Sequence, residues 1–209
     1  MERLDLLDWK RRVFELYEMV RMADDSREAW SRWRAQRDEL FADHPQSPLL
    51  PEARESFDGL PYFEHDPAYR VLGEVRPAEP QHFDIATSGE EPGGTYGFTR
   101  FATVAFELQG EPCTLDAFWL DGYGGGLFLP FRDPTSGRDT YGAGRYLLDT
   151  VKGSDLGVAD DGRLMLDFNF AYNPSCAYDP RWVCPLAPPG SRLITDVRAG
   201  ERYERRGPA

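Results

Sequence analysis

Near residue 69 the spacing of apolar side chains changes from alternating threes and fours to a period of two. This switch limits the chain to helices followed by strands. Upstream, Leu6, Trp9, Val13, Leu16 and Val20 form one apolar stripe on a helix over residues 4–22. Asp25 offers a cap, with Glu28 three residues later able to reach back, and opens a second helix that runs to about Phe41. Trp30, Trp33, Leu40 and Phe41 form its buried side. Prolines 45, 48 and 51 end the pattern, and a loop with one helical turn at 52–57 follows. Strands are expected at 69–75, 82–87, 96–108, 113–120, 127–131, 146–151, 164–172 and 193–197. In the third of these, Ala102, Val104, Phe106 and Leu108 alternate with Thr103 and Glu107, as a half-buried strand requires. Gln109-Gly110 and the glycine-rich stretch 121–126 make short turns, so the middle strands read as an antiparallel meander. Asp161-Gly162 signals a further hairpin.

No second run of βα units occurs, which disfavours a doubly wound nucleotide-binding sheet. The expected fold class is α+β: an N-terminal helical pair followed by a mainly antiparallel β-barrel or sandwich. Residues 1–45 hold the helices and 57–203 the β domain, the two forming one compact unit.

With 36 acidic and 24 basic side chains, the formal charge is −12. Such a surface repels polyanions, so no nucleic-acid partner is expected. The arginines at 27, 32, 34 and 37 read as a solvated helix face. No apolar run approaches the ~20 residues of a membrane span, and the N-terminus carries acids where an export signal has basic residues. The expectation is a cytoplasmic chain with no membrane partner.

Two stretches hold most of the polar chemistry. Residues 128–147, FLPFRDPTSGRDTYGAGRYL, turn through Asp133, Thr135, Ser136 and Gly137 and then present Thr140, Tyr141 and Arg145. This is not a P-loop, because the Gly-Lys-Ser/Thr ending is missing, nor a dinucleotide fingerprint, which needs a third glycine and a βαβ context. Asp133 and the hydroxyls suit either a ligand or the backbone of a tight turn. In residues 164–189, alternation puts Leu164, Leu166, Phe168, Phe170 and Tyr172 on one face and Asp167, Asn169, Ala171 and Asn173 on the other. Asp and Asn are poor strand formers, so their face calls for a polar pocket or for plain solvent exposure.

Cys176 and Cys184 close this stretch, with Cys113 elsewhere. Zinc needs four ligands, and His44, His65 and His82 stand at no ligand-like spacing. A disulfide is possible, but the N-terminus without an export signal points to a reducing compartment. Cys176 with His82 and Asn173 could be drawn as a catalytic set. The pair lacks the C-x-x-C spacing of thioredoxin-like redox sites, so buried reduced thiols are the default reading. No cofactor is specified. Asp133, Asp139, Asp149 and Asp167 offer carboxylates for acid–base work, but no G-x-S-x-G elbow or H-E-x-x-H pair occurs.

The segments FDGLPYFEHDPAYRV, LPFRDPTSGRDTYGAGRYL, LDFNFAYNPSCAY, CPLAPPGSRL and VRAGERY, in that order, resemble the bacterial and archaeal family called domain of unknown function 1684. The resemblance runs from about Phe57 to Tyr203 and implies no reaction, cofactor or substrate. It departs at Ser175 and Ser191, where Pro and Asn are expected. It also gives a reason to view Asp133, Thr135, Gly137, Thr140, Tyr141, Arg145, Asp167, Asn169, Tyr172, Asn173, Cys176 and Cys184 as one spatial cluster.

Two functional readings follow. In one, a barrel pocket binds a small polar or anionic molecule: Arg145 pairs with its charge, Tyr141 and Tyr172 form walls, Asp167, Asn169 and Asn173 orient it, and Asp133 or Asp167 carries any acid–base or hydrolase-type step. In the other, the same residues are internal struts of a non-enzymatic interaction module. Trp9, Trp30 and Trp33 then offer a surface for a homodimer, unless they pack on the chain's own sheet. A closed interior around Arg145 favours the struts, and an open cavity of ~300 Å³ or more favours the pocket.

Overall fold

The structure, a computed structural model, describes residues 2–88 and 95–204. The tail, whose charged sequence ERYERRGPA predicts fraying beyond Tyr203, is described only as far as Glu204, and the rest of it lies outside the described residues. Helix α1 spans Glu2–Met22 and α2 spans Ser26–Asp43. The Asp25 carboxylate accepts from the Glu28 amide at 2.8 Å, as an N-cap should, and Pro45 stops α2 just after His44. A short helix α3, Pro51–Glu55, starts at its proline.

Six strands follow: β1 Arg70–Ala86, β2 Thr95–Leu108, β3 Glu111–Leu120, β4 Leu127–Phe131, β5 Arg145–Asp149 and β6 Leu164–Asp167. They pair antiparallel in the order β5-β4-β3-β2-β1-β6. The sheet curls until its two ends nearly meet. Tyr146 of β5 and Tyr172, just beyond β6, exchange two backbone hydrogen bonds of 2.9 and 3.1 Å across the gap. This is the barrel-like α+β architecture expected. The β2–β3 hairpin turns through Gln109 and Gly110, both with positive φ, as a tight two-residue turn demands.

The structure departs from the sequence reading at five of the expected strands. Segments 69–75 and 82–87 are one continuous strand, β1. Its pairing to β2 carries a register shift between Pro77 and Gln81, where the prolines can donate nothing. That lapse is tolerated because β6 pairs only with Arg70–Gly73, leaving the rest of that edge free of β6. The last expected strand, 193–197, is irregular, joined to the sheet by the Leu193 amide on the Arg132 carbonyl at 2.7 Å. Segment 146–151 gives way after Asp149 to a 3₁₀ turn, Thr150–Lys152. Segment 164–172 ends as a strand at Asp167, whose carboxylate accepts from the Asn169 amide and starts the 3₁₀ turn Phe168–Phe170. The Asp and Asn residues there do not line one pocket or face solvent as a row, although Asp167 borders a small cavity. They are turn formers, buried and hydrogen-bonded.

The main core joins helices to sheet. Leu16, Tyr17, Trp30 and Trp33 pack with Val104, Leu115, Leu147, Phe168 and Phe170, and Trp33 meets Phe170 edge-on at 5.3 Å. Trp30 and Trp33 therefore pack on the chain's own sheet. A second cluster, Ile85, Phe98, Phe118, Phe128 and Tyr146, lies apart from it. No described helix is long and apolar enough to cross a membrane. A Cβ at Gly73 would fall 2.8 Å from Leu166 Cδ1 and closer still to Val104 Cγ1, so β1 crosses the core where only glycine fits. Gly73→Ala is expected to destabilise the fold by about 1–3 kcal/mol, and a urea midpoint unchanged from wild type would refute this packing argument.

Candidate functional site

Arg145 leaves Gly144 at the start of β5 and is wholly buried. Burial draws its guanidinium below the ordinary value, and the nearby Asp133 carboxylate opposes that. Its Nη1 donates to the carbonyls of Ala199 and, at 3.3 Å, Glu201, while Nη2 donates to the Val197 carbonyl at 2.9 Å and lies 3.4 Å from Asp133 Oδ1. The Phe131 ring covers one face, 4.9 Å from Cζ. Asp133 in turn accepts from the Val197 amide at 2.8 Å and the Thr135 amide at 3.2 Å. The Thr135 and Thr140 hydroxyls share a 2.9 Å hydrogen bond that closes the loop between them. This interior is closed, and its polar groups face one another except Arg145 Nε, which is buried without a hydrogen-bond partner.

The network continues through Glu201. Its carboxylate meets Arg37 Nη2 of α2 at 2.8 Å and accepts from the Asn173 amide at 3.1 Å. Arg37 Nε also donates to the Tyr62 hydroxyl at 3.1 Å, and its guanidinium lies over the Trp33 ring at 4.8 Å. Burial outweighs these partners and pushes the Glu201 carboxyl up to about 7. The Asn173 side chain donates to the Arg202 carbonyl. Gly200 has positive φ, and a Cβ there would fall 2.6 Å from the Ala171 and Phe168 carbonyl oxygens.

Gly137 sits in the Thr135–Thr140 loop, its amide on the Thr140 carbonyl at 2.9 Å, and the other eleven residues named from sequence fall into three groups. Asp133, Thr135, Thr140, Arg145 and Asn173 belong to the network around residues 197–202, and Tyr172 makes the barrel-closing bridge to Tyr146 beside it. Tyr141, Cys176 and Cys184 meet separately: the Tyr141 hydroxyl lies 3.9 Å from Cys176 Sγ. Asp167 and Asn169 stand apart. Asn169 accepts from the Asp66 amide through its side chain and from Trp30 Nε1 through its carbonyl. All three cysteines are free thiols.

Sequence reasoning passed over Arg37, Tyr62, Glu201 and Lys152. Arg37 is four residues from both Trp33 and Phe41, so helical geometry already puts it on the buried face. The solvated-face reading holds for exposed Arg27 and Arg32. It fails for Arg37 and for Arg34, which stacks over Trp30 and Tyr62.

A cavity of about 270 Å³ lies elsewhere, between the second aromatic cluster and the segment around Pro185. Tyr96, Phe98, Leu120, Phe128, Val183 and Pro185 give it apolar walls. Its charged groups are Asp149, at the end of β5, and Lys152, whose Nζ is 3.6 Å from the Asp149 carboxylate and half exposed. The Tyr146 hydroxyl donates to the Pro185 carbonyl at 2.6 Å and fixes one wall. A smaller cavity, about 190 Å³, is bordered by Arg21, Arg70, Asp167 and Phe170. Burial raises the Asp167 carboxyl, with Asn169 opposing. Among the described residues no group of three or more His, Cys, Asp or Glu side chains is arranged to hold a metal ion.

The family model described as "Protein of unknown function (DUF1684)" matches residues 55–202. The solution NMR structure of an uncharacterized protein from Haloarcula marismortui is 38% identical and superimposes with a TM-score of 0.62. The match covers 88% of this chain and 100% of that one. Among curated proteins none matches.

Two predictions follow from the buried network. Arg145→Ala leaves three carbonyls and a carboxylate without their donor and is expected to cost about 3–5 kcal/mol; equilibrium urea unfolding checks it, and wild-type stability would remove the strut assignment. Glu201 holds its proton more tightly when folded than when unfolded. Its contribution to stability is complete below its ordinary value near 4.5 and is lost as pH rises through about 7. The melting temperature of Glu201→Gln is therefore expected to gain on wild type between pH 5 and pH 8; parallel curves would mean that Glu201 is ionised throughout.

Proposed function

The chain belongs to the DUF1684 family, and we propose that it acts as a binding protein for a small molecule with an apolar body and one anionic group. The cavity between the sheet and the segment around Pro185 is the binding site in this reading. The observation that carries it is the make-up of that cavity: an apolar hollow of about 270 Å³ with Lys152 as the single cation among its described lining residues. Apolar walls supply affinity for the body of the ligand, and a few placed polar groups supply orientation. Lys152 is held by Asp149 on one side yet half exposed on the other, so its ammonium can donate to a second anion without breaking the first pair.

The conspicuous motif residues take the second of the two sequence readings. The closed interior around Arg145 favours a strut: its Nη donors are engaged by main-chain carbonyls and Asp133, which leaves the ligand's charge to Lys152. Of the two carboxylates considered for acid–base work, Asp133 has both oxygens engaged by amides and Arg145. Asp167 borders the smaller cavity and holds its proton above the ordinary carboxylate range, which makes it the better placed of the two to move one.

Octanoate and octylamine, which share a chain and differ in head group, test the reading by titration calorimetry. Octanoate is expected to bind saturably at one site. Lys152→Ala should weaken it by about ten-fold, the worth of one charged hydrogen bond, and Val183→Trp should abolish binding by filling the wall. Octylamine binding as tightly as octanoate, or neither binding, would overturn it.

A further inference from the structure

The segment from Cys176 to Cys184 loops back on itself. It leaves the 3₁₀ turn Ser175–Ala177 and returns so that Cys184 is pinned to Ser88, just beyond the end of β1. The Ser88 amide donates to the Cys184 carbonyl at 3.0 Å, and the Cys184 amide donates to Ser88 Oγ, also at 3.0 Å. This double tie holds the two sulfurs within hydrogen-bonding reach of each other. Hydroxyls converge on Cys176 from two other elements: Tyr141 at 3.9 Å from Sγ, on the loop before β5, and Ser88. Both cysteines are nearly covered, Cys176 at 9% and Cys184 at 2% exposure.

We propose that Cys176 and Cys184 form a reactive dithiol whose substrate is a small hydroperoxide, hydrogen peroxide in the first instance. The near-complete cover admits a small neutral molecule in preference to a bulky or charged oxidant. Donors from Cys184, Ser88 and Tyr141 stabilise a thiolate on Cys176 and hold it at about 6, while Cys184, as the donor, keeps its proton well above the usual thiol range. Cys176, the more exposed of the two and the one with the Tyr141 hydroxyl against its sulfur, is the attacking thiol, and Cys184 is the resolving one.

The Cys176 thiolate attacks one peroxide oxygen. An S–O bond forms, the O–O bond breaks, and the departing hydroxide takes a proton and leaves as water, giving a sulfenic acid on Cys176. The Cys184 sulfur then attacks the Cys176 sulfur. The S–S bond forms as the S–O bond breaks, and the oxygen leaves with the Cys184 proton as a second water. Two thiols lose two electrons in total and one peroxide gains them, so the step needs no further reactant. Cys113 is remote from this chemistry: it belongs to the main core on β3, where burial raises its thiol.

The test uses the full chain treated with a small excess of hydrogen peroxide at pH 7, followed by alkylation and intact mass under denaturing conditions. The expected product has lost two mass units and alkylates at Cys113 alone, with peptides containing Cys176 and Cys184 joined. Cys184→Ser should stop at the sulfenic acid, trapped on Cys176 by dimedone. Cys176→Ser should show no oxidation under the same conditions. Oxidation of the folded chain should also run about ten-fold faster than in 8 M urea, because the unfolded thiol is mostly protonated at pH 7. Full alkylation of all three thiols after peroxide, dimedone on Cys184 in place of Cys176, or a folded rate at or below the unfolded one would each overturn the proposal.

Discussion

A buried guanidinium needs acceptors for most of its donors, and in this protein that requirement organises the last described segment of the chain. Arg145 gathers the carbonyls of Val197, Ala199 and Glu201, while Asp133 takes the Val197 amide. Residues 197–201 make no strand, so these bonds replace the ladder that would otherwise satisfy their backbone. A positive charge inside the fold and an irregular segment with unpaired carbonyls stabilise each other. Removing either leaves the other desolvated and unpartnered.

The same segment ties the helices to the barrel. Glu201 reaches Arg37 on α2, and Arg37 reaches Tyr62 on the loop that leads to β1. The Phe63 amide bonds the Gly200 carbonyl and the Arg202 amide bonds the Pro61 carbonyl, so residues 200–202 lie against 61–63. On the other side the Glu201 amide bonds the Ala171 carbonyl, one residue from the Tyr172–Tyr146 bridge that closes the sheet. Four of the five stretches that carry the family resemblance thus converge on one network. FDGLPYF supplies Tyr62, RDPTSGRDTYGAGRYL supplies Asp133 and Arg145, NFAYN supplies Asn173, and VRAGERY supplies the carbonyls and Glu201. A motif dense in polar residues is here chiefly a device for holding a barrel shut.

Polar residues absorbed in this way are unavailable to ligands, which moves any binding site to places where side chains are not spoken for. The apolar cavity beside Pro185 and the thiol pair beside Ser88 are such places. They share a wall, because Val183 and Pro185 line the cavity while Cys184 between them faces Cys176. The thiols stand out in the sequence as a pair, but the cavity does not: its walls are aromatic and aliphatic residues of the strands and of the segment around Pro185, and its cation is one of only two lysines in the chain.

Sequence alone determined what local periodicity and local chemistry control. The helical stripe through Leu16 and Val20, the Asp25 cap, the Gln109-Gly110 turn and the alternation along β2 each depend on residues within a few positions of one another, and the α+β order follows from them. Tertiary structure decided whatever required two distant segments to meet. Pro77 could sit inside one long strand only because β6 stops short of it. Asp167 ended its strand because the chain needed a turn there to bring Asn169 against Asp66 and Trp30. Arg37 was legible from its spacing to Trp33 and Phe41, but its partner Glu201, 164 residues away, was not. The candidate site divided for the same reason. Alternation assigns a residue to a face, while which groups fill the space opposite depends on where the rest of the chain returns.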